Sequence, residues 1–80
     1  MTPEQIDAKV KEVICKELEV SPEKVKPETS FTDDLKADSI AVVELVIKLE
    51  EAFGVEIPEE DVEQMKTVGD AANYLKSRLK

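Results

Sequence analysis

A serine directly follows an aspartate at the head of a helical stretch, KADSIAVVEL, residues 36–45. Ser39 can be a hydroxyl that caps the helix, a catalytic nucleophile, or a point at which another group is attached. A phosphate there would meet free N–H groups and the positive end of the helix dipole, although Asp38 would oppose its charge. From the residues alone, a serine of the cap or first turn is the favoured interpretation.

The residues needed for the usual nucleophilic catalysis are missing. The chain has no histidine, which is the most common base beside a serine or cysteine nucleophile. A Ser-His-Asp triad is therefore impossible. The single cysteine, Cys15, has Lys11 and Lys16 close in sequence but no histidine, so we interpret it as an inert, partly exposed thiol.

The acidic residues near Ser39 do not form an EF-hand. If Asp33 is the first residue of such a loop, Glu44 falls at the required twelfth position. The third and fifth positions are then Leu35 and Ala37, and the sixth is Asp38 rather than glycine. With no CxxC pair either, we predict no dedicated metal site. Loose binding of a divalent cation stays open beside the favoured interpretation, a solvated acidic loop.

The charge of the chain indicates which partners it avoids. Nineteen acidic and eleven basic residues give a net charge of −8, which repels nucleic acid and anionic membranes. Such a surface steers association with basic proteins, although solubility alone explains the acidity equally well. No apolar run reaches the roughly 18 residues that span a membrane. The lone cysteine fits a reducing compartment, so we expect a cytoplasmic protein. We further expect a monomer that does not insert into membranes.

Apolar residues recur at helical spacing along nearly the whole chain, and no convincing strand is found. Thr2 starts a first helix that runs to about Leu18. A long connection, residues 19–37, follows, and its apolar residues suggest that it is packed against the protein. The second helix begins near Asp38 or Ser39 and ends at Phe53-Gly54.

Two further helices complete the expected fold. Pro58 opens a short third helix anchored by Val62 and Met65. The last helix begins with a capping box at Thr67–Asp70. The prediction is an all-α fold, a small antiparallel bundle of three main helices and one short helix, with residues 1–80 as a single domain.

The second helix has two apolar faces. One is a complete core stripe at helical spacing, formed by Val42, Leu45, Val46, Leu49, Ala52 and Phe53. On another side, Ile40, Val43 and Ile47 are interleaved with Glu44, Glu50 and Glu51. This second face either packs beneath the long loop or docks into a basic, apolar groove of a partner protein. In the docking interpretation the acids set orientation and association rate, and the aliphatic side chains supply affinity.

At this point the sequence resembles the acyl carrier proteins over nearly the whole chain. The family pattern is approximately D-L-G-A-D-S-L, then V-E-L, L-E-E-x-F and I-P. The matching residues are Asp34-Leu35, Ala37-Asp38-Ser39, Val43-Glu44-Leu45, Leu49-Glu50-Glu51, Phe53 and Ile57-Pro58. The closing Thr67-Val68-Gly69-Asp70 fits as well. So many matches at the right spacings make the resemblance specific.

The resemblance implies a carrier that is not an enzyme. A phosphopantetheinyl transferase would use coenzyme A to attach 4′-phosphopantetheine to Ser39, beside Asp38, and the arm would carry acyl groups as thioesters. Asp38, Glu44, Glu50 and Glu51 would meet basic patches on the enzymes of fatty-acid biosynthesis. The apolar contacts among them would be Ile40, Val43 and Ile47. Acyl chains would enter a cavity lined by Val46 and Leu49.

Three residues depart from the family pattern. Lys36 stands where glycine is usual, Ile40 replaces leucine, and Ala41 stands where fatty-acid carriers often have an acid. These differences concern the pathway and the partners rather than Ser39. The alternatives are a carrier for a polyketide or specialised lipid pathway, and an acidic helical adaptor that is never modified.

Overall fold

The first helix begins where the capping residues predict. The computed structural model describes residues 2–79, and α1 spans Pro3–Leu18. The Thr2 hydroxyl accepts a hydrogen bond from the Gln5 amide at 3.2 Å, and the Gln5 side chain accepts one from the Thr2 amide at 2.9 Å. This reciprocal pair satisfies two N–H groups that the helix itself leaves without acceptors.

The long connection between the first two long helices is ordered by a buried threonine. It contains a single 3₁₀ turn, Pro22–Lys24. Thr29 is the buried polar residue of the described chain. Its hydroxyl accepts from the Lys26 amide at 3.0 Å and donates to the Lys24 carbonyl at 3.1 Å. Both bonds fold the connection back on itself, as a packed loop requires.

The same connection is bound to the start of the last helix through backbone hydrogen bonds. The amides of Val68 and Gly69 donate to the carbonyls of Thr29 and Pro27 at 2.9 and 2.8 Å. Gly69 allows this close approach, because a Cβ atom at that position would lie 2.8 Å from the Pro27 carbonyl oxygen. Within residues 2–79, β-type pairing is limited to one isolated bridge between Ser30 and Thr67.

The remaining helices are α2 at Ser39–Phe53, α3 at Glu59–Val62 and α4 at Val68–Arg78. Gly54 ends α2 in the left-handed conformation, with φ 67°, as predicted. The sequence predicts that Pro58 opens α3 as its first residue, but Pro58 is the N-cap and lies one residue before the helix. The sequence also predicts Met65 as an anchor of α3, but Met65 follows the end of that helix, where it is buried.

The core lies where α1 packs against both α2 and α4. The all-α bundle of three main helices and one short helix is therefore confirmed. The buried core residues of these three helices are Ile6, Val10, Ile14, Leu45, Val46, Leu49, Val68, Ala71, Ala72 and Leu75. Each buried aliphatic side chain of the size of Leu contributes roughly 1.5–3 kcal/mol. Cys15 is half-buried beside this core, and no helix between residues 2 and 79 could cross a membrane.

Candidate functional site

The start of α2 separates the roles of two neighbouring residues. Asp38 is the N-cap, and its carboxylate accepts a hydrogen bond from the Ala41 amide at 2.8 Å. Ser39 is the first helical residue and is exposed. Among residues 2–79, no hydrogen-bond partner of its hydroxyl is found. The capping function is thus performed by Asp38, and the Ser39 hydroxyl is available for chemistry.

The backbone around Ser39 offers hydrogen-bond donors to an anion. In the described chain, no acceptor is found for the amides of Ser39 and Ile40. The first backbone hydrogen bond of α2 is the one that the Val42 amide donates to the Asp38 carbonyl at 2.9 Å. These amides and the helix dipole favour a phosphate on Ser39, and the Asp38 carboxylate opposes it. The exposed hydroxyl and the free amides fit a phosphodiester at this position.

Lys36 lies three residues before Ser39 in a conformation that suits glycine. Its φ is 58°, in the left-handed region. A residue with a Cβ atom pays roughly 1–2 kcal/mol there, and glycine does not. The usual glycine of the family pattern therefore has a conformational reason, which this chain overrides. The Lys36 side chain is exposed, and no carboxylate of residues 2–79 lies within ion-pair distance of it.

A cleft of about 660 Å³ opens directly beside Ser39. It lies between the start of α2, the end of the long loop and α3. Its apolar lining includes Phe31, Val42, Val62 and Met65, and its polar lining combines hydroxyl groups with three acids and one lysine. This volume falls within the usual range of about 300–1,000 Å³ for small-molecule sites. The cleft is therefore large enough to hold a small molecule beside Ser39.

The short helix α3 forms one wall of the cleft and is held by a side-chain cluster. The Tyr74 hydroxyl of α4 donates to the Asp61 carboxylate at 2.7 Å. Arg78 donates to the same oxygen at 3.4 Å, and its guanidinium lies 5.0 Å from the centre of the Tyr74 ring. Burial and then the Asp61 hydrogen bond raise the pKa of Tyr74. Because α3 has only four residues, these contacts help to position it.

The second face of α2 is exposed rather than packed beneath the loop. Ile40 is 70% exposed, Val43 52% and Ile47 46%. The interpretation that they pack under the long loop is therefore wrong. Glu44 and Glu51 are exposed on the same helix.

Glu50 differs from the other two acids of α2. It is half-buried, and its carboxylate accepts a hydrogen bond from the Ile57 amide at 3.0 Å. Glu50 thus fixes the chain that leads into α3. Its position makes it a weaker candidate for partner contact than Glu44 or Glu51.

The net charge of the chain is concentrated around these elements. Residues 38–70 contain ten acidic and two basic residues, a net charge of −8 that equals the charge of the whole chain. The remaining residues are therefore neutral in sum. Within residues 2–79, no group of three acidic or cysteine side chains is arranged to hold a metal ion. The acidity is therefore concentrated in residues 38–70.

Comparison with known proteins identifies the family. Residues 8–75 match the model of the phosphopantetheine attachment site. The acyl carrier protein of Bdellovibrio bacteriovorus is 55% identical over 75 residues, which cover 94% of this chain and 96% of that protein. The chain belongs to the acyl carrier protein family. As a member of it, the chain is a carrier rather than an enzyme, and its cofactor is phosphopantetheine.

Other members of the acyl carrier protein family agree in sequence and structure. The acyl carrier protein of Thermosynechococcus vestitus is 48% identical over 79 residues, covering 99% of this chain and 98% of that protein. The solved structure of the acyl carrier protein from Enterococcus faecalis superimposes with a TM-score of 0.80 at 42% identity. That match covers 96% of this chain and 98% of the other. The resemblance inferred from the motifs is therefore confirmed.

Two predicted site residues of this acyl carrier lie away from the cleft. Val46 and Leu49 are buried in the core and are not among the residues that line the cleft beside Ser39. Their role in an acyl-chain cavity stays a prediction. The sequence places Val42 in the core stripe of α2 and predicts Val62 and Met65 only as anchors of the short third helix. Nothing in their type or spacing distinguishes a residue that lines a cleft from one that is fully packed.

Proposed function

We propose that this chain, acting as one domain, carries acyl intermediates of fatty-acid biosynthesis on a 4′-phosphopantetheine arm attached to Ser39. The observation that supports this assignment is the division of roles at the start of α2. Asp38 caps the helix at 2.8 Å from the Ala41 amide, which leaves the exposed Ser39 hydroxyl beside the cleft. A serine needed only as a cap would have its hydroxyl bonded to the backbone.

The residues around Ser39 would hold the arm without taking part in bond making. The amides of Ser39 and Ile40 favour the negative charge of the phosphodiester. Asp38 keeps α2 beginning at Ser39 and so fixes the direction in which the arm leaves. The attached group supplies a thiol that holds acyl groups as thioesters. The apolar lining of the cleft would reduce contact between the arm and water.

The second face of α2 is the proposed docking surface for partner enzymes. Ile40, Val43 and Ile47 offer exposed apolar area, and Glu44 and Glu51 carry charge on the same helix. Basic patches on the phosphopantetheinyl transferase and on fatty-acid synthesis enzymes complement this arrangement. Acids near the docking surface would steer the encounter, and the aliphatic side chains would be desolvated on binding. Glu50 and Asp38 lie within the same region and would contribute through its charge.

Growing acyl chains would enter between the helices at Val46 and Leu49, as the family resemblance implies. Both side chains are aliphatic and buried, so their displacement would open an apolar space. We place the protein in the cytoplasm as a monomer, where Cys15 would remain reduced. A carrier for a polyketide or specialised lipid pathway is the second proposal, because Lys36, Ile40 and Ala41 depart from the fatty-acid pattern.

Intact-mass measurement tests the carrier function. The purified chain is incubated with coenzyme A, Mg²⁺ and a phosphopantetheinyl transferase. We expect nearly all molecules to gain the mass of one arm. No gain in mass with several transferases would contradict the proposal and favour an unmodified adaptor. Analysis of acyl groups on the native protein then separates the pathways. Saturated and 3-hydroxyacyl chains support fatty-acid synthesis, and their absence counts against it.

A further inference from the structure

A second cavity lies on the other side of the contact between the long loop and α4. Its volume is about 290 Å³, and it shares no lining residue with the cleft beside Ser39. Its floor is apolar and is formed by Val10, Val25, Val68 and Ala72, all of them buried residues of three different segments. The cavity therefore lies where α1, the loop and α4 meet, and it is separate from the proposed carrier site.

The rim of this cavity is basic, in contrast to the acidic α2–α3 region. Lys11, Lys26, Lys76 and the Asn73 amide line it, with Asp7 as its single acid. Lys76 and Asp7 form an ion pair at 2.9 Å and neutralise one another. No carboxylate of residues 2–79 lies within 4.0 Å of the amino groups of Lys11 or Lys26. Two ammonium groups thus remain to attract an anion.

The backbone amides at the N-terminus of α4 are not free to donate hydrogen bonds to such an anion. The Val68 and Gly69 amides already donate to the Thr29 and Pro27 carbonyls. The Asp70 amide donates to the Thr67 hydroxyl at 3.1 Å. Recognition must therefore come from side chains at the rim, which are the two lysines and Asn73.

We propose that this cavity binds a small organic carboxylate with a short aliphatic body. The volume lies just below the usual range for small-molecule sites, about 300–1,000 Å³, which favours a small ligand. The apolar floor would contact the aliphatic body, while Lys11, Lys26 and Asn73 would bind the carboxylate. Because the lysines are exposed, each ion pair contributes little and we expect weak binding.

Titration of the full-length, unmodified chain with hexanoate tests the site. Backbone amide NMR signals of Gly69, Ala72 and Asn73 should shift and saturate. Hexanol, which lacks the charge, and inorganic phosphate, which lacks the aliphatic body, should each bind at least threefold more weakly. Equal binding of either compound would overturn the proposal. Shifts confined to Val62 and Met65 would also overturn it, since those residues report the cleft beside Ser39.

Paired variants separate the rim lysines from general charge effects. Lys11→Gln combined with Lys26→Gln should weaken hexanoate binding at least threefold. Lys24→Gln combined with Lys48→Gln removes the same charge from exposed lysines outside the cavity and should change binding less than twofold. Equal loss in both double variants would contradict a specific site. The outcome is independent of the carrier function, because Ser39 is unmodified throughout.

Discussion

The Asp38 carboxylate accepts a hydrogen bond from the Ala41 amide at 2.8 Å, so the residue before Ser39, and not Ser39, caps α2. This relationship gives the two neighbours different expected costs on substitution. Asp38→Ala should lower the free energy of unfolding by about 1 kcal/mol through loss of the cap. Ser39→Ala should change it by less than about 0.5 kcal/mol, as is usual for an exposed side chain. Urea unfolding followed by circular dichroism measures both, and equal losses would show that Ser39 shares the capping role.

The left-handed conformation of Lys36 predicts that glycine is better tolerated than alanine there. Alanine retains the conformational cost of roughly 1–2 kcal/mol. Glycine removes that cost but loses roughly 0.5–1 kcal/mol of entropy on folding. Both variants remove the charge, so their comparison isolates the backbone. We expect the free energy of unfolding of Lys36→Gly to exceed that of Lys36→Ala by roughly 0.5–1 kcal/mol. Alanine equal to glycine would contradict the assigned φ.

Charge reversal tests the docking surface of α2. Glu44→Lys combined with Glu51→Lys should slow association with a phosphopantetheinyl transferase by about tenfold at low salt, without loss of helix content. Glu4→Lys combined with Glu28→Lys makes the same change in net charge at exposed positions outside residues 38–70. Stopped-flow association at two salt concentrations compares the pairs. If both pairs slow association equally, the α2 face has no special role.

The Tyr74–Asp61 contact predicts a stability difference that depends on pH. The folded protein favours the protonated phenol, because burial and then the Asp61 hydrogen bond raise the pKa of Tyr74. The contribution is therefore complete well below about pH 10, the pKa of an unfolded tyrosine, and is lost as the pH rises through the higher folded pKa. Tyr74→Phe should lower the free energy of unfolding by about 1 kcal/mol near neutral pH. The loss should be smaller above about pH 10.

Two measurements check the Tyr74 prediction. Urea unfolding of both proteins on either side of about pH 10 should show the difference narrowing as the pH rises. Tyr74 is the one tyrosine of the chain and tryptophan is absent, so phenolate absorbance reports this residue alone. A phenolate that forms at the pH typical of a free tyrosine, or a constant stability difference, would contradict the role given to Asp61.

Features that depend on near neighbours in sequence were predictable. Thr2 with Gln5, and Thr67 with Asp70, identify helix starts because a capping box joins residues only three positions apart. Gly54 marks a helix end because the required φ is positive. These signals are local, and the structure places α1, the end of α2 and the start of α4 accordingly.

Contacts between distant residues could not be predicted in this way. Asp61 and Tyr74 are thirteen positions apart, and neither residue type indicates the other as a partner. Glu50 and Glu51 are the same residue type in the same helix, yet Glu50 accepts a hydrogen bond from the Ile57 amide. The cleft beside Ser39 similarly depends on how α3 packs, which an apolar pattern at Val62 and Met65 does not reveal. Tertiary packing determines each of these.

The central claim is that Ser39 carries the arm, and two serines of the same cleft allow a direct test. Ser30 also lines the cleft, but its hydroxyl accepts a hydrogen bond from the Asp33 amide at 3.2 Å. Ser39→Ala and Ser30→Ala are each incubated with coenzyme A, Mg²⁺ and a phosphopantetheinyl transferase, and their intact masses are measured. We predict that Ser30→Ala gains one arm and Ser39→Ala gains none. An arm added to Ser39→Ala would contradict the assignment.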